Sequence, residues 1–596
     1  MRYVALFVLA ATLLAGPVAG PVAGQVASPG AGQESLSGVW QGEIVTPGGP
    51  LGLVAWFEPD GEGGWIGTAD TPSQSAYGIP WSAVAFDGTN LVAELALTGA
   101  VFEARLTDGG ATLDGVWKQR GAEMPLVCAR QPAPVMVPDA LAGQLIGTWE
   151  GVLEVGVIKL RLLLDLDRSP AGTVRGHMVS VDQSPAEIAV GRVDFVEDRN
   201  VRIRVGAVAT TFDVVVAEDG ESFSGSFQQA GQSFDIAMDK VDAPTKVLRP
   251  QEPVPPFPYR SEEVTYRNEA ADVTLAGTLT LPDGEGPFTA ALLITGSGSQ
   301  NRDEEIFQHK PFAVIADHLT RRGIAVLRVD DRGVGGSSTG ATPGAATSFD
   351  FAGDVEAGVA FLRSRPEVAA ARIGLIGHSE GGMIAPIVAA RNDGVAFIVL
   401  LAGPGIPGAE LLEMQGVLIM RAAGEDEETI ASSARSRRAL FDVVLDDGLD
   451  AGVAEARMRE LIESDPEFIA ASEEERAASM ETALAQLTAP WLRTFIRYDP
   501  APTLRQVDCP VLAVNGELDL QVPCRVNLDA IAAALEHNPD ATVKAFPDLN
   551  HLFQACETGL MEEYGEIEET MSVEVLDTIA AWIDERFGFQ APSRRR

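Results

Sequence analysis

Basic residues are scarce in this chain. Its 596 residues include 44 Lys and Arg against 85 Asp and Glu, so the formal net charge is −41 at pH 7. Proteins that bind nucleic acid present basic stripes that neutralise phosphates, and this sequence has none. The composition excludes a nucleic-acid partner, and an acidic surface mainly favours solubility. The hydrophobic content of 46% is typical of globular domains with ample cores.

Long apolar runs are also missing. Beyond the N-terminus, no segment reaches the roughly 18 apolar residues that a membrane-spanning helix needs. The apolar run Val4 to Ala15 is too short to span, follows a charged start, and precedes the small residues Val22-Ala23-Gly24. This pattern is typical of a secretory signal peptide, so we expect residues 1–24 to be removed. We therefore expect a periplasmic or extracellular protein with no membrane span in the mature chain.

Glycine and aspartate turns about every ten residues, between alternating apolar and polar positions, predict a β-rich region over 35–243. The region contains a repeat, because GVWQG at 38–42 matches GTWEG at 147–151. We predict two copies of one all-β module, a small barrel or sandwich, at 35–133 and 141–243. A structural or docking role is favoured over a ligand cup.

A proline-rich linker is predicted at 244–261 and a catalytic domain at 262–590. Strands and helices alternate in this domain, which indicates an α/β fold. About 100 acidic, helical residues separate the strand at Val395 from the strand at Val511, far more than an ordinary connection. We predict a helical cap at about 404–500. Its apolar residues either line an acyl pocket or form the core of the cap itself.

Within this domain, the sequence GHSEG at 377–381 follows a short apolar strand and precedes a run of small, helix-compatible residues. This arrangement is typical of the nucleophile elbow of α/β-hydrolases, which makes Ser379 the candidate nucleophile. A serine hydroxyl needs a base, and the base needs an acid that orients it.

The chain has only six histidines, and two of them follow Ser379 far enough along the chain to serve as the base. We select His551, on a loop after the last predicted strand, over His537, which closes a helical pattern. Asp519, a few residues past the strand Val511–Asn515, is the predicted acid, with Glu517 as runner-up. Asp548 is close to His551 in sequence and is disfavoured.

Attack by a serine creates an oxyanion that backbone N–H groups stabilise. One predicted donor is the N–H of Glu380, the residue after the nucleophile. The other is the N–H of Ser297, in the Gly/Ser-rich loop that follows the apolar strand Ala290–Ile294. Arg332, after the strand Ile324–Val329, is expected to brace its loop by ion pairs.

From about Glu262 to Phe587 the chain resembles bacterial α/β-hydrolase esterases of the serine aminopeptidase-like group. The matching segments are TGSGSQNRDE at 295–304, DDRGVG at 330–335, GHSEGG at 377–382, RYDP at 497–500, NGELDLQV at 515–522 and LNHLFQ at 549–554. The resemblance implies Ser379, Asp519 and His551 as a catalytic triad. It departs from the family pattern at Thr295, where a histidine is common.

The resulting hypothesis is a secreted serine hydrolase that cleaves small-molecule acyl esters through an acyl-enzyme, with no cofactor and no metal. An aminopeptidase, or an enzyme acting on thioesters or lactones with the same triad, is the alternative. A non-catalytic binding protein is the third possibility. None of the four cysteines has zinc-type C-x-x-C spacing. Because Cys524 and Cys556 each lie five residues after a predicted triad member, we predict a disulfide between them, with Cys509–Cys524 as the rival.

Overall fold

The computed structural model describes residues 36–588 except for 47–48, 73–75, 96–97, 120, 133–134, 156–157, 183–186, 207–209, 230–231, 245–247, 341–343, 466–467 and 470–472. The predicted signal peptide, residues 1–24, lies outside the described residues. The chain divides into two compact units, the β-rich region and the region that follows it, which are described in turn. Across these described ranges, no helix is long and apolar enough to cross a membrane.

The first β module is a single sheet of nine antiparallel strands in the order β4-β3-β2-β1-β9-β8-β7-β6-β5. Large side chains, including Trp40, Phe57 and Phe102, are completely buried on its inner face. The interior is thus filled by the module's own side chains. Its strands are β1 Gly38–Thr46, β2 Gly49–Pro59, β3 Trp65–Thr71, β4 Ala76–Pro80, β5 Ala83–Phe86, β6 Asn90–Leu95, β7 Ala100–Thr107, β8 Thr112–Gln119 and β9 Ala122–Arg130.

The second β module follows the short helix α1, Asp139–Leu145, and repeats the topology as β13-β12-β11-β10-β18-β17-β16-β15-β14. Its strands are β10 Gly147–Val155, β11 Ile158–Arg168, β12 Val174–Ser180, β13 Ile188–Val190, β14 Arg192–Glu197, β15 Asn200–Val205, β16 Thr210–Val216, β17 Ser222–Gln229 and β18 Gln232–Val241. The prediction of two repeated all-β modules is confirmed.

The repeated tryptophans explain why the two modules share a sequence signature. Trp40 and Trp149 are both fully buried. The indole Nε1 of each donates to the carbonyl four residues earlier, Leu36 at 3.0 Å and Leu145 at 2.7 Å. A cation covers each ring, since the Arg130 guanidinium lies 4.1 Å from the centroid of Trp40 and a lysine occupies the matching place over Trp149. Each tryptophan therefore anchors the start of its sheet.

The C-terminal unit is built on an eight-stranded sheet in the order β19-β20-β22-β21-β23-β24-β25-β26. The β19–β20 and β20–β22 pairs are antiparallel, and the remaining pairs are parallel. The central strands are continuous apolar runs because helices cover both faces of the sheet. The strands are β19 Arg260–Asn268, β20 Val273–Leu281, β21 Phe288–Ile294, β22 Ile324–Val329, β23 Val368–His378, β24 Phe397–Leu401, β25 Val511–Gly516 and β26 Ala541–Phe546.

The helices that flank this sheet are α2 Pro311–Thr320, α3 Ser348–Ser364, α4 Glu380–Ala389, α10 Ala501–Leu504, α11 Cys524–Ala534, α12 Glu562–Glu566 and α13 Val573–Phe587. This is the α/β-hydrolase fold predicted from the sequence. Loops after β21, β23, β25 and β26 emerge at the carboxyl edge of the sheet, where sites form in open α/β sheets.

Between β24 and β25 lies the predicted helical insertion. It comprises α5 Gly408–Ala422, α6 Glu427–Leu445, α7 Ala451–Glu463, α8 Glu473–Thr488 and α9 Pro490–Arg497. Leu411 and Leu412 of α5 are buried in one hydrophobic cluster with Leu440 and Phe441 of α6. Leu411 and Leu412 therefore pack in the hydrophobic core and do not line an acyl pocket.

The proline-rich linker packs on the C-terminal unit. The Arg249 guanidinium donates to the carbonyls of Gly565 at 2.8 Å and Ile567 at 2.9 Å, and to that of Phe307 at 2.9 Å. Gln251 Nε2 donates to the Met571 carbonyl at 2.7 Å. The linker thus holds the segment 564–571, which follows the loop that carries His551.

Candidate active site

Ser379 occupies the sharp turn between β23 and α4. Its φ of 52° and ψ of −117° lie in a region that non-glycine residues rarely adopt. The turn needs glycines on both sides. A Cβ on Gly377 would lie 2.0 Å from the Gly381 carbonyl oxygen, and a Cβ on Gly381 would lie 2.2 Å from the Ile294 oxygen. Close approach of backbone to backbone therefore explains both glycines of the GHSEG motif.

His551 and Asp519 form a buried pair. Nδ1 of His551 lies 2.8 Å from Oδ2 of Asp519, and the two residues are 4% and 3% exposed. The second carboxylate oxygen, Oδ1, accepts the backbone N–H groups of Gln521 and Val522, both at 2.8 Å. The Asp519 carboxylate is thereby fixed in orientation toward the imidazole.

The loop that presents His551 is held by its own polar side chains. Oδ1 of Asn550 accepts the N–H groups of Leu552 and Gln554, both at 3.0 Å. Phe553 adopts a φ of 62°, which turns the chain tightly behind the imidazole. The base thus sits on a short, internally bonded turn.

The rejected candidates lie elsewhere. Glu517 is partly exposed and forms an ion pair with Arg525. His537 and Asp548 are both exposed to solvent. None of the three contacts His551 by a hydrogen bond in the described part of the chain.

Ser379 and His551 come together through the residue before the serine. The rings of His378 and His551 have centroids 4.7 Å apart. Nε2 of His378 lies 3.0 Å from the carbonyl oxygen of His551. The structure thus brings the predicted nucleophile, base and acid to one edge of the sheet. Sequence reasoning did not single out His378.

The loop after β21, residues 295–299, carries the predicted donor Ser297 and is called the oxyanion loop. It lies against Ser379. A Cβ on Gly296 would lie 3.3 Å from the Ser379 Cβ. The Gly296 N–H donates to Oε1 of Glu304 at 2.6 Å, whereas the Ser297 N–H has no acceptor within the described residues. Glu380 is the first residue of α4, where backbone N–H groups have no intrahelical acceptor. Both predicted N–H donors are thus available at this edge.

Besides Glu304, a second carboxyl group, that of Asp331, accepts hydrogen bonds from the oxyanion loop and from the residue that follows it. Asp331 accepts the Thr295 hydroxyl at 2.8 Å and the Gln300 N–H at 2.9 Å. Burial raises the pKa of Asp331 to about 8, even though these hydrogen bonds oppose the shift. Thr295, where the family resemblance expects histidine, thus ties the loop to Asp331. Arg332 donates to Asp354 at 2.8 Å and so braces the loop after β22, as predicted.

The Glu380 side chain faces the helical insertion. Its carboxylate accepts the Ser348 hydroxyl at 2.5 Å and the Trp491 indole N–H at 2.8 Å. Burial raises the pKa of Glu380, although hydrogen bonds from Ser348, Trp491 and Ser297 oppose the rise. These donors occupy the carboxylate, so it is not an open acceptor for a substrate amine.

Two clefts lie in this part of the domain. One lies between the insertion and the loops after β25 and β26, and its lining includes the apolar side chains Ile419, Leu520, Leu560 and Met561. The other extends under the oxyanion loop beside Glu380 and Asp331. Leu520, which follows Asp519 in the chain, gives the first cleft part of its apolar wall.

All four cysteines are free thiols in the structure, which therefore shows neither the predicted Cys524–Cys556 disulfide nor the rival Cys509–Cys524 bridge. Cys524 begins α11 and its Sγ faces the Asn515 carbonyl at 3.8 Å. Cys556 is held on the other loop, where its N–H donates to the Asp548 carbonyl at 3.0 Å. The contact between Asp519 and His551 therefore forms without a covalent tie.

Within the described ranges, no group of three or more His, Cys, Asp or Glu side chains could hold a metal ion.

Comparison with known proteins adds a family match. Residues 291–558 match the model of the alpha/beta hydrolase family. Esterase EstD of Thermotoga maritima is 28% identical over 326 residues, which cover 53% of this chain and 67% of that protein. Among solved structures, the Pyrococcus furiosus esterase Pf2001 is 16% identical and aligns with 58% of this chain and all of its own, at a TM-score of 0.34. Proline iminopeptidase of Mycobacterium smegmatis is 18% identical and aligns with 54% of this chain and 98% of its own, at a TM-score of 0.35.

Proposed function

We propose that this chain, whose C-terminal domain is an α/β hydrolase, cleaves carboxylic esters through an acyl-enzyme formed on Ser379. The observation that carries the proposal is the buried hydrogen bond between His551 and Asp519, 2.8 Å long, beside a serine held at a φ of 52°. An oriented imidazole is the base that activates a hydroxyl nucleophile, and the strained turn is what exposes that hydroxyl.

In the proposed reaction, Nε2 of His551 takes the Ser379 proton as Oγ attacks the ester carbonyl. The negative charge that develops on the carbonyl oxygen is stabilised by the N–H groups of Ser297 and Glu380. His551 then donates its proton to the leaving alcohol, which gives the acyl-enzyme. Water, deprotonated by His551, hydrolyses the acyl-enzyme and restores Ser379. Asp519 keeps the imidazole in the required tautomer and stabilises the imidazolium.

An ester substrate is favoured over a peptide with a free amine. The carboxylate of Glu380, the residue after the proposed nucleophile, is already hydrogen-bonded to Ser348 and Trp491. The cleft lined by Leu520, the residue after Asp519, has apolar side chains in its wall, which suits an acyl or alkyl group. The name of the Thermotoga maritima relative also favours an esterase.

We further propose that the protein acts outside the cytoplasm. The support is the short charged start, the apolar run and the small residues up to Gly24. N-terminal sequencing of the protein recovered from its native host tests this, with a mature start near Gln25 as the expected result. An intact Met1 in the fractionated protein overturns it.

The experiment that tests the reaction compares p-nitrophenyl esters of graded chain length with aminoacyl-p-nitroanilides. We expect the full chain to hydrolyse the esters and the Ser379→Ala variant to lose on the order of 10⁴–10⁶ in kcat. Preferential cleavage of the anilides would identify a peptidase instead.

A further inference from the structure

Glu304 links the oxyanion loop to the histidine that precedes the nucleophile. Its Oε1 accepts the Gly296 N–H at 2.6 Å and lies 3.0 Å from Nδ1 of His378. The other imidazole nitrogen of His378, Nε2, lies 3.0 Å from the carbonyl oxygen of His551. A continuous chain of hydrogen bonds therefore runs from the oxyanion loop to the backbone of the proposed base.

The two hydrogen-bond partners of His378 limit how many protons its imidazole carries. Both partners of His378 are acceptors, a carboxylate and a backbone carbonyl. A neutral imidazole has one N–H, whereas the imidazolium has two. His378 donates both hydrogen bonds when it carries two protons and Glu304 carries none. A neutral His378 keeps both contacts only if Glu304 is protonated on Oε1 and donates to Nδ1.

The alternative of a neutral histidine beside a protonated Glu304 fits less well. Oε1 of Glu304 already receives the Gly296 N–H, and its Oε2 is buried with no hydrogen-bond partner in the described part of the chain. A proton on Oε2 would have no acceptor, and an unmade hydrogen bond in the interior is costly. A proton on Oε1 would face Nδ1, but the same oxygen would then accept the Gly296 N–H as a hydroxyl, and a contact of 2.6 Å suits an ionised carboxylate better. Burial lowers the pKa of His378, but the Glu304 carboxylate, the His551 carbonyl and the charge of Asp519 together raise it.

The backbone of Glu304 has a strained conformation that is consistent with a role in the site. Its φ is 51°, in the left-handed region that non-glycine residues rarely adopt, and the residue is 3% exposed. Strain of this kind persists only where surrounding contacts hold it, and it concentrates at functional sites.

We propose that Glu304 and His378 form a buried carboxylate–imidazolium pair that positions the oxyanion loop and the His551 loop against Ser379. This inference rests on the proposed ester hydrolysis at Ser379. Glu304 and His378 are positioning residues, since they act through the Gly296 backbone and the His551 carbonyl. Loss of the pair displaces the Ser297 N–H and the imidazole of His551 together, and displacements near 1 Å cost about 100-fold in rate.

The kinetic test uses Glu304→Gln, His378→Asn and the double variant in the full chain, assayed on one p-nitrophenyl ester. We expect each single variant to lower kcat on the order of 10–100-fold with little change in KM, because the transition-state geometry is affected. The double variant should lose no more than the worse single variant, because the two residues act as one unit. Multiplied losses would overturn the pairing.

The matched control is Glu305→Gln, the neighbouring carboxylate on the same loop. Glu305 accepts from Asn301 at 3.2 Å and lies near Lys310, away from Ser379. We expect this variant to keep normal kcat. If Glu304→Gln also keeps normal kcat while Ser379→Ala is inactive, the positioning role is refuted and the proposed function stands.

A second measurement does not depend on activity and reads the protonation of the wild-type ring, with a variant used for assignment alone. The wild-type chain labelled with ¹⁵N-histidine has only six imidazoles, and His378 is assigned by the signal that disappears in His378→Asn. We expect His378 to show two protonated ring nitrogens at neutral pH. One protonated nitrogen would show a neutral ring and overturn the proposal, even if Ser379 proves to be the nucleophile.

Discussion

The indole Nε1 of Trp491 donates to both carboxylate oxygens of Glu380, at 2.8 and 3.0 Å. Trp491 belongs to α9 of the helical insertion, and Glu380 follows Ser379 at the start of α4. This contact joins the insertion to the nucleophile turn. A shift of the insertion would therefore also shift the turn that carries the Glu380 N–H.

Replacing Trp491 by Phe should lower kcat/KM by roughly 5–100-fold. The substitution keeps the ring stacked on Phe495 but removes one donor from a buried carboxylate that retains the Ser348 hydroxyl, which costs about 1–3 kcal/mol. Steady-state kinetics and limited proteolysis of the insertion give the readouts. Trp582→Phe is the matched control, because the Trp582 Nε1 is buried without a hydrogen-bond partner in the described chain. Equal effects of the two changes would contradict the link.

Asp519→Asn should reduce kcat by roughly 10⁴-fold while Glu517→Gln stays near normal. An amide at 519 favours the wrong imidazole tautomer of His551, whereas Glu517 pairs only with Arg525 near the surface. Single-turnover assays at pH 7 measure both. Should only the change at 517 disable the enzyme, the acid has been misassigned.

Gly381→Ala should prevent formation of a working nucleophile turn. The added Cβ would lie 2.2 Å from the Ile294 carbonyl oxygen, so the backbone would have to move. We expect loss of activity and a Tm lower by several degrees, in line with a cost of about 1–3 kcal/mol. The control Gly353→Ala meets its nearest atom at 3.5 Å and should fold and function normally.

Acid should weaken folding through His309. This residue is fully buried, with Nδ1 2.9 Å from the Thr570 hydroxyl, and burial together with the nearby Arg249 charge lowers its pKa to about 4. In the unfolded chain the pKa returns to about 6.5, so between these values only the unfolded state binds the proton. The stabilising contribution is complete above pH 6.5 and is lost as the pH falls through 4.

Urea unfolding at pH 7 and pH 4.5 measures this contribution. We expect wild type to lose on the order of 1–3 kcal/mol more than His309→Gln over this interval. The exposed His537 provides the control, since His537→Gln should retain the wild-type pH dependence. Identical pH dependence in all three proteins would exclude His309 as the cause.

The sequence predicts those site residues that occupy a recognisable local motif in a fixed order along the chain. Ser379 stands in a strand–turn–helix motif, and Asp519 and His551 each follow a recognisable strand, so the fold itself determines where they meet. The repeated tryptophans likewise indicated the two β modules. Each of these patterns spans only a few residues, and the order of the strands in the sheet then brings the residues close together in space.

The contacts that sequence missed join side chains from distant segments. Glu304 and His378 are 74 residues apart, and Glu380 and Trp491 are 111 apart. Each contact depends on the direction of two side chains, and the spacing of apolar and polar residues along the sequence does not predict that direction. The predicted disulfide depends on side-chain direction in the same way. Asp519 and His551 are adjacent, yet five residues later one chain enters a helix and the other bonds back to Asp548.

The central claim, that Ser379 is an activated nucleophile, is tested most directly by covalent labelling of the full chain with a fluorophosphonate. Peptide mass mapping should find one adduct per chain, on Ser379. The Ser379→Ala variant should remain unlabelled while keeping a wild-type unfolding profile, because the lost hydroxyl is only partly buried. An adduct on another residue, or undiminished labelling of Ser379→Ala, would contradict the account.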